Sequence, residues 1–366
     1  MSISNQYPDR GKIGPTPKMT RLADESFLDY TLDTRALLLR NRTDRKRVNE
    51  VLKEKGIKFE PTHESVEAIR SVIRQGFPET GVAQRVFRTA QAGMWERVAD
   101  SYRLREAHIL RMLDEYDQRG PGSVTWDPDY IYPEYTAVET HLQTGGVVGD
   151  MLSGICFDYG TRIFYGYNHD GYHAKLADRV VTPRDGIVSR IMDIGCSEGK
   201  LTCALKDRFP SAEVWGSDIS AGMVRYAHYR AVEENKDVHF LQKAAEDLDD
   251  LPPEQFDLVV MYIVFHEVPT PVVEQTIKNV FRLLRPGGTF WITDFPTAGN
   301  DPEGLDYDGV LGALDSADNS EPYAPEFVRS NVEKKIRDAG FVLRYEDPKD
   351  INLYGRVCDK PIEVVK

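Results

Sequence analysis

The feature that most constrains this chain is the run SRIMDIGCSEGKLTCAL, residues 189–205. An apolar stretch closes on an aspartate, passes two glycines and continues at once as amphipathic sequence. That order reads as a buried strand, a tight loop and a helix. Glycines are needed where a bound molecule must approach the backbone, and the first turn of the following helix offers unpaired N–H groups. Gly195 and Gly199 are spaced G-x-x-x-G, which differs from the G-x-G-x-x-G of dinucleotide loops. The flanking sequence agrees with the strand–loop–helix reading. Strands are predicted at SRIMDIG, EVWGSD, VHFLQ, FDLVVMY and GTFWITDF, with GFVLRYED and YGRVCD later. Amphipathic stretches alternate with them from about Gly186, the pattern of βαβ units on a mostly parallel sheet, so the fold class is α/β.

The chain of 366 residues has room for more than this one domain. Residues 1–18 are expected to form a flexible tail, because Pro8, Gly11, Gly14, Pro15 and Pro17 interrupt any periodicity; truncation before Met19 should then leave activity intact. Residues 19–118 read as a mainly helical accessory and dimerisation domain. Its clearest signal is one apolar stripe through Val82, Val86, Ala90, Met94, Val98, Tyr102, Ile109 and Leu113. Residues 119–180 form a Gly- and Tyr-rich connection with short β-type pieces at YTAVETHLQ and TRIFYGY, expected to lie over an active site as a lid. Residues 181–366 make the domain of alternating strands and helices. A formal charge of −13 repels a phosphate backbone and argues against nucleic acid as partner. The four cysteines form no C-x-x-C pair, so neither a disulfide framework nor a zinc site is expected. No apolar stretch approaches the ~20 residues of a membrane helix, and a cytoplasmic, homodimeric protein with no membrane partner is the expectation.

DIGCSEG resembles the D-x-G-C-G-x-G cofactor loop of the class I S-adenosylmethionine-dependent methyltransferases, and that family's later landmarks follow in order. The resemblance implies a Rossmann-like domain with a seven-stranded, mostly parallel sheet and S-adenosyl-L-methionine as cofactor. It places Asp193, Gly195, Cys196, Ser197 and Gly199 in the cofactor loop, with Ser197 standing where the middle glycine is usual. Asp218, nineteen residues beyond Gly199, matches the acidic residue that accepts from both ribose hydroxyls, a task suited to two carboxylate oxygens. Ile219 and Met223 match the apolar members on the adenine side. QKAAEDL resembles the family's Q-G-D-A-E-D-L turn, implying cofactor contacts from Ala245, Glu246 and Asp247. Lys243 and Ala244 replace the usual Gly and Asp, so Glu246, Asp247 or a backbone carbonyl is expected to receive the adenine amino group. Tyr262 ends the strand facing the methyl donor, and RPGG predicts a tight reversal at Gly287–Gly288.

Methyl transfer is an in-line displacement, and a base is needed only where the nucleophile carries a proton. FHE resembles the L-H-D segment of small-molecule O-methyltransferases, which implies His266 as general base with Glu267 beside it. The tryptophan that follows in those enzymes is absent, and quinone and sterol C-methyltransferases carry a histidine here without using it as a base. Tyr165, Tyr167, His169, Tyr172 and His173, in FYGYNHDGYH, are expected as lid or substrate contacts. His169 and His173 are four apart, yet the sequence offers no third ligand, so no metal is expected. The reading is a methyltransferase acting on O, N or S of a small-molecule metabolite. A catalytically silent cofactor-binding regulatory or assembly subunit is the alternative, disfavoured by Asp218 and the FHE segment.

Overall fold

In a computed structural model, which describes residues 9–40, 45–58, 63–295, 297, 319–344 and 354–362, the first half of the chain is helical. A hairpin of β1 (Lys12–Ile13) and β2 (Thr16–Pro17) leads into α1 (Leu22–Arg40), α2 (Arg45–Glu54), α3 (His63–Gly76), α4 (Pro78–Arg103) and α5 (Glu106–Tyr116). The hairpin corrects the expectation of a flexible tail for residues 9–18, while residues 1–8 lie outside the described residues. Thr16 and Met19 are fully buried. The Tyr229 hydroxyl donates to the Pro15 carbonyl at 2.7 Å, and the Tyr102 hydroxyl to that of Pro17 at 2.7 Å. Pro and Gly end regular structure here without freeing the chain, because backbone carbonyls that no helix uses are satisfied by buried tyrosines.

The apolar stripe divides. Ala90, Met94, Val98 and Tyr102 on α4 and Ile109 and Leu113 on α5 are buried, but Val82 and Val86 are exposed at the start of α4. The buried part forms one core with α6 (Ser153–Thr161) and with Tyr226 and Tyr229. α2 and α3 close a separate small cluster around Val48, Ile69 and Ile73. Between 119 and 180 the expected β pieces are not strands. They are short 3₁₀ turns at Glu134–Thr136, Thr140–Leu142 and Arg162–Tyr165, and Thr161 ends α6. Two other elements lie in this stretch, β3 (Ser123–Thr125) and α7 (His169–Arg179).

The rest alternates as expected: β4 (Arg190–Ile194), α8 (Lys200–Arg208), β5 (Glu213–Asp218), α9 (Ala221–Glu233), β6 (Val238–Gln242), β7 (Phe256–Tyr262), α10 (Thr270–Leu283) and β8 (Leu284–Asp294). α11 (Ala324–Arg329), α12 (Val332–Asp338), β9 (Val342–Arg344) and β10 (Tyr354–Asp359) follow. The sheet order is β3-β6-β5-β4-β7-β8-β10-β9. β4 pairs in parallel with β5 and β7, and β10 runs antiparallel to β8. The seven strands implied by the resemblance are thus joined by an eighth, β3, added in parallel to β6 from the connecting segment. The turn expected at Gly287–Gly288 is an irregularity within β8, with its register shift opposite Phe256 and Leu258. Apolar side chains fill both faces of the sheet, Ile191, Val214 and Val260 on one side and Met192, Val259 and Phe290 on the other. Successive residues of a strand point to opposite faces, which is why these strands read as unbroken apolar runs. The order reverses between β4 and β7, and the crevice at the carboxyl ends of the strands there is where ligands of open α/β sheets bind.

Candidate active site

Loops at the carboxyl ends of β4, β5, β6, β7 and β8 build one end of this crevice after another. After β4, Gly195 and Gly199 adopt φ of +72° and +78°. A Cβ on Gly195 would stand 2.5 Å from Val264 Cγ2, and one on Gly199 would stand 2.7 Å from the Ala227 methyl. Ser197, in place of the usual middle glycine, keeps the left-handed conformation at φ +51°. The Cys196 N–H donates to the Ser217 carbonyl, and the buried Cys196 side chain lies under the loop. Asp193 turns inward, where Thr202 Oγ1 donates to it at 2.7 Å; burial pushes its carboxyl up to about 7.

Asp218 ends β5 at the mouth of the crevice. Its two oxygens accept the N–H of Ser197 and of Ser220, each at 2.9 Å. Burial pushes this carboxyl up to about 6, against the pull of the two amides. Ser220 caps α9 by accepting from the Met223 N–H, and Ser197 Oγ lies 3.7 Å from Met223 Sδ. The Ile219 carbonyl accepts from Gln242 Nε2 at 3.1 Å. After β6, Ala245 is half-buried and Asp247 exposed, and Glu246 accepts the Tyr135 hydroxyl at 2.7 Å through Oε1. Oε2 of Glu246 is buried with no hydrogen-bond partner.

The aromatic segment ahead of β4 splits. Tyr165 stacks on His169 with ring centroids 4.3 Å apart, and Tyr172, His173 and Tyr262 complete the cluster, with the Tyr172 and Tyr262 hydroxyls 3.0 Å apart. Burial drives both histidines toward the neutral form, His173 down to about 4. His173 Nδ1 donates to the His169 carbonyl at 2.9 Å. Tyr167 corrects the expectation. It is exposed, and its hydroxyl turns away to Asp29 on α1 at 2.7 Å. His169 also comes together with Asp158 and Glu198 in a group whose ligand atoms lie within 4.8 Å of one another. Asp158 is already engaged by Lys200, by Arg162 at 3.1 Å and by Arg230 at 3.0 Å. Asp158 therefore belongs to a buried ion network with Arg162, Arg230 and Lys200, whose amine burial pushes well below its usual range.

At the far end, β7 gives way to Ile263, a β-branched residue at φ +50° whose N–H donates to the Thr293 carbonyl at 2.7 Å. Such a residue in the left-handed region is strained, and the chain leaves the strand there for a short 3₁₀ turn at Phe265–Glu267. The buried His266 is held by Asp294, the last residue of β8, at 2.7 Å from Nδ1. Asp294 also accepts the N–H of Phe265 at 2.8 Å and that of Phe295 at 2.7 Å. His266 Nε2 faces Glu267 at 3.7 Å and Glu321 at 3.9 Å, and the Phe295 ring lies 4.3 Å from the imidazole. Although burial opposes it, the carboxylates of Asp294, Glu321 and Glu267 hold the His266 ring up at about 9. Glu267 points past His266 to His141 at 2.9 Å.

Sequence reasoning missed Asp294 as the partner of His266, although it lay next to the end of the predicted strand GTFWITDF. It missed Glu321 and His141 outright, since neither lies in a motif. It also missed Tyr132 and Tyr135. Tyr132 receives a hydrogen bond from Gln242 Nε2 at 3.2 Å, so the segment after β3 reaches the turn after β6. A run of tyrosines, Tyr130, Tyr132 and Tyr135, was the available signal.

Residues 191–288 match the family model described as a methyltransferase domain. A demethylmenaquinone methyltransferase from Thermus thermophilus is 31% identical over 170 residues, covering 43% of this chain and 76% of that protein. The chain belongs to the class I S-adenosylmethionine-dependent methyltransferases. A ubiquinone biosynthesis O-methyltransferase from Pseudomonas fluorescens is 31% identical over 124 residues, 34% of this methyltransferase and 50% of that one, so the chain spans about half the length of such relatives. Human N-acetylserotonin methyltransferase, solved with its cofactor, superposes with a TM-score of 0.43 at 14% identity, covering 60% of this chain and 59% of that one.

The cofactor of this methyltransferase is S-adenosylmethionine, and the residues present fit it. Each Asp218 oxygen accepts one backbone amide and so keeps acceptor capacity for a ribose hydroxyl. The unpartnered Glu246 Oε2 offers the buried acceptor that Lys243 and Ala244 cannot supply for the adenine amino group. Gly195 and Gly199 leave the backbone open where a side chain would collide with the molecule's own wall. Among the described residues no helix is long and apolar enough to cross a membrane.

Proposed function

We propose that this methyltransferase transfers a methyl group to an acidic hydroxyl, phenolic or enolic, of a small-molecule metabolite, with His266 as general base. The observation that carries the reading is the His266–Asp294 pair at 2.7 Å, which gives Nδ1 a fixed acceptor and leaves Nε2, which faces Glu267 and Glu321, without a hydrogen bond from that pair. S-adenosylmethionine, when bound, supplies an electrophilic methyl carbon. The chain's own residues do the rest. Asp294 fixes the ring's tautomer and orientation and stabilises the imidazolium once Nε2 has taken the hydroxyl proton. Phe295 packs its ring against the imidazole, and the buried setting keeps water from competing for the methyl group. A base held near 9 is well matched to a phenol, whose pKa is about 10, and poorly matched to an aliphatic alcohol. The name of the Pseudomonas relative, an O-methyltransferase, supports oxygen as the accepting atom. Both named relatives act in quinone biosynthesis or on a menaquinone precursor, which supports an aromatic acceptor.

The test is transfer from methyl-labelled donor to matched phenols, anilines and thiophenols. Labelled methyl ethers as the main product are expected. Label on nitrogen or sulfur with none on oxygen, or donor binding without transfer to any of them, would overturn the assignment.

A further inference from the structure

His141 approaches the reaction centre from the helical half of the chain. It and Leu142 sit at φ +59° and +60°, two consecutive non-glycine residues in a region that such residues avoid. The conformation is held from both sides. Gln91 on α4 donates to the His141 carbonyl at 3.0 Å, and the ring lies 6.2 Å from that of Phe157. The ring itself spans two carboxylates: Nε2 is 2.9 Å from Glu267 Oε1, and Nδ1 is 2.9 Å from Glu321 Oε1. An imidazole donates from both nitrogens only as the imidazolium. Asn319 Nδ2, 3.0 Å from the same Nδ1, donates to Glu321 Oε1 at 2.6 Å.

We propose that His141 is a positioning residue for the reaction, its charged ring fixing Glu267 and Glu321 and neutralising carboxylate charge gathered around His266. The proposal rests on His266 as the base. The groups facing His266 are Asp294, Glu267 and Glu321, three carboxylates within 4 Å. Those facing His141 are Glu267 and Glu321. Without His141, both glutamates would turn their full charge on His266 and keep a proton on the nitrogen that must receive one. With it, two of the three negative charges are shared with a second cation. The carboxylates in turn hold the His141 ring up at about 10, so it stays charged through the neutral range. Glu321 Oε2, buried and without a hydrogen bond, lies 3.9 Å from His266 Nε2.

The experiment is a histidine-ring NMR titration of the full chain, with the His266 signal assigned by its loss in His266→Gln. In His141→Gln the His266 midpoint should rise by about one pH unit, a roughly tenfold gain in proton affinity. In His141→Lys, which restores a cation on a flexible stem, the midpoint should stay within about twofold of the native proton affinity. A midpoint unmoved in His141→Gln, or displaced equally in both variants, would overturn the proposal. His141→Lys decides alone if His141→Gln does not fold, because a purely steric role for the imidazole would let the midpoint move. The titration reads charge balance whether or not His266 is the base. Native-level turnover in His266→Gln would remove the base assignment while leaving the titration result intact.

Discussion

Asp218 is held by two backbone amides, those of Ser197 and Ser220, whereas His266 is held by one side chain, Asp294, and faced by two more, Glu267 and Glu321. The residues of the first arrangement come from a single stretch of chain, the loop after β4 through the start of α9. Those of the second come from the ends of β7 and β8, from the segment after β8 and, through His141, from the segment ahead of α6. A site made of backbone geometry depends on glycines and turns that must occur in a fixed local order. A site made of side chains depends on which distant segments meet. Under the proposed function, Asp218 marks a donor end whose parts are set by local sequence, and His266 an acceptor end whose parts are set by which distant segments meet.

The largest test of that contrast is His266→Gln. Removing a general base should lower turnover by roughly 10²- to 10⁴-fold. The amide keeps the ring's approximate size, and steady-state kinetics with a phenolic acceptor would read the loss. A fall of less than about threefold would merge the acceptor end with a merely shape-complementary cleft.

The pH dependence sharpens the same point. Because the carboxylates hold His266 up at about 9, the ring in the free enzyme carries its proton at neutral pH. The base form is scarce below that value and grows as pH rises. kcat/KM should climb about tenfold per pH unit from pH 7 and level off near pH 9. A profile flat over that range would mean that no proton on His266 limits the reaction.

A smaller effect separates the scaffold from both ends. Thr16 Oγ1 sits between Asp158, Arg162 at 2.8 Å and the Tyr226 hydroxyl at 2.9 Å, all buried. Thr16→Val removes that hydroxyl while Tyr226 and Arg162 keep their bonds to Asp158 at 2.8 and 3.1 Å, so stability should fall by about 0.5–1.5 kcal/mol. Denaturant unfolding would register it as an earlier midpoint with an unchanged slope. Unchanged stability would return the hairpin to the loosely attached segment that its prolines and glycines suggest.

The legibility of the chain follows the same division. IMDIGCSEG, EVWGSD and AAEDL each carry backbone requirements in their residue types, so Gly195, Asp218 and Glu246 could be placed from sequence and are found at one end of the crevice. Tyr167 could not. It shares a segment with Tyr165 and Tyr172, and only its own φ of +63° sends it out to Asp29. His141 and Glu321 carry no local signal, since 180 residues separate them and nothing near either marks a partner. The hairpin at Lys12–Pro17 escaped for a related reason, as turn residues look alike whether the loop is free or stapled by buried tyrosines.

Calorimetric titration of S-adenosylhomocysteine into Asp218→Ala and His266→Gln, side by side with the native chain, tests the separation of the two ends most directly. Asp218→Ala should weaken binding by about 1.5–3 kcal/mol, roughly 10- to 150-fold, since two ribose hydroxyls lose a charged acceptor. His266→Gln should bind within about twofold of native. Native affinity in Asp218→Ala, or a comparable loss in both variants, would contradict a donor end and an acceptor end built independently.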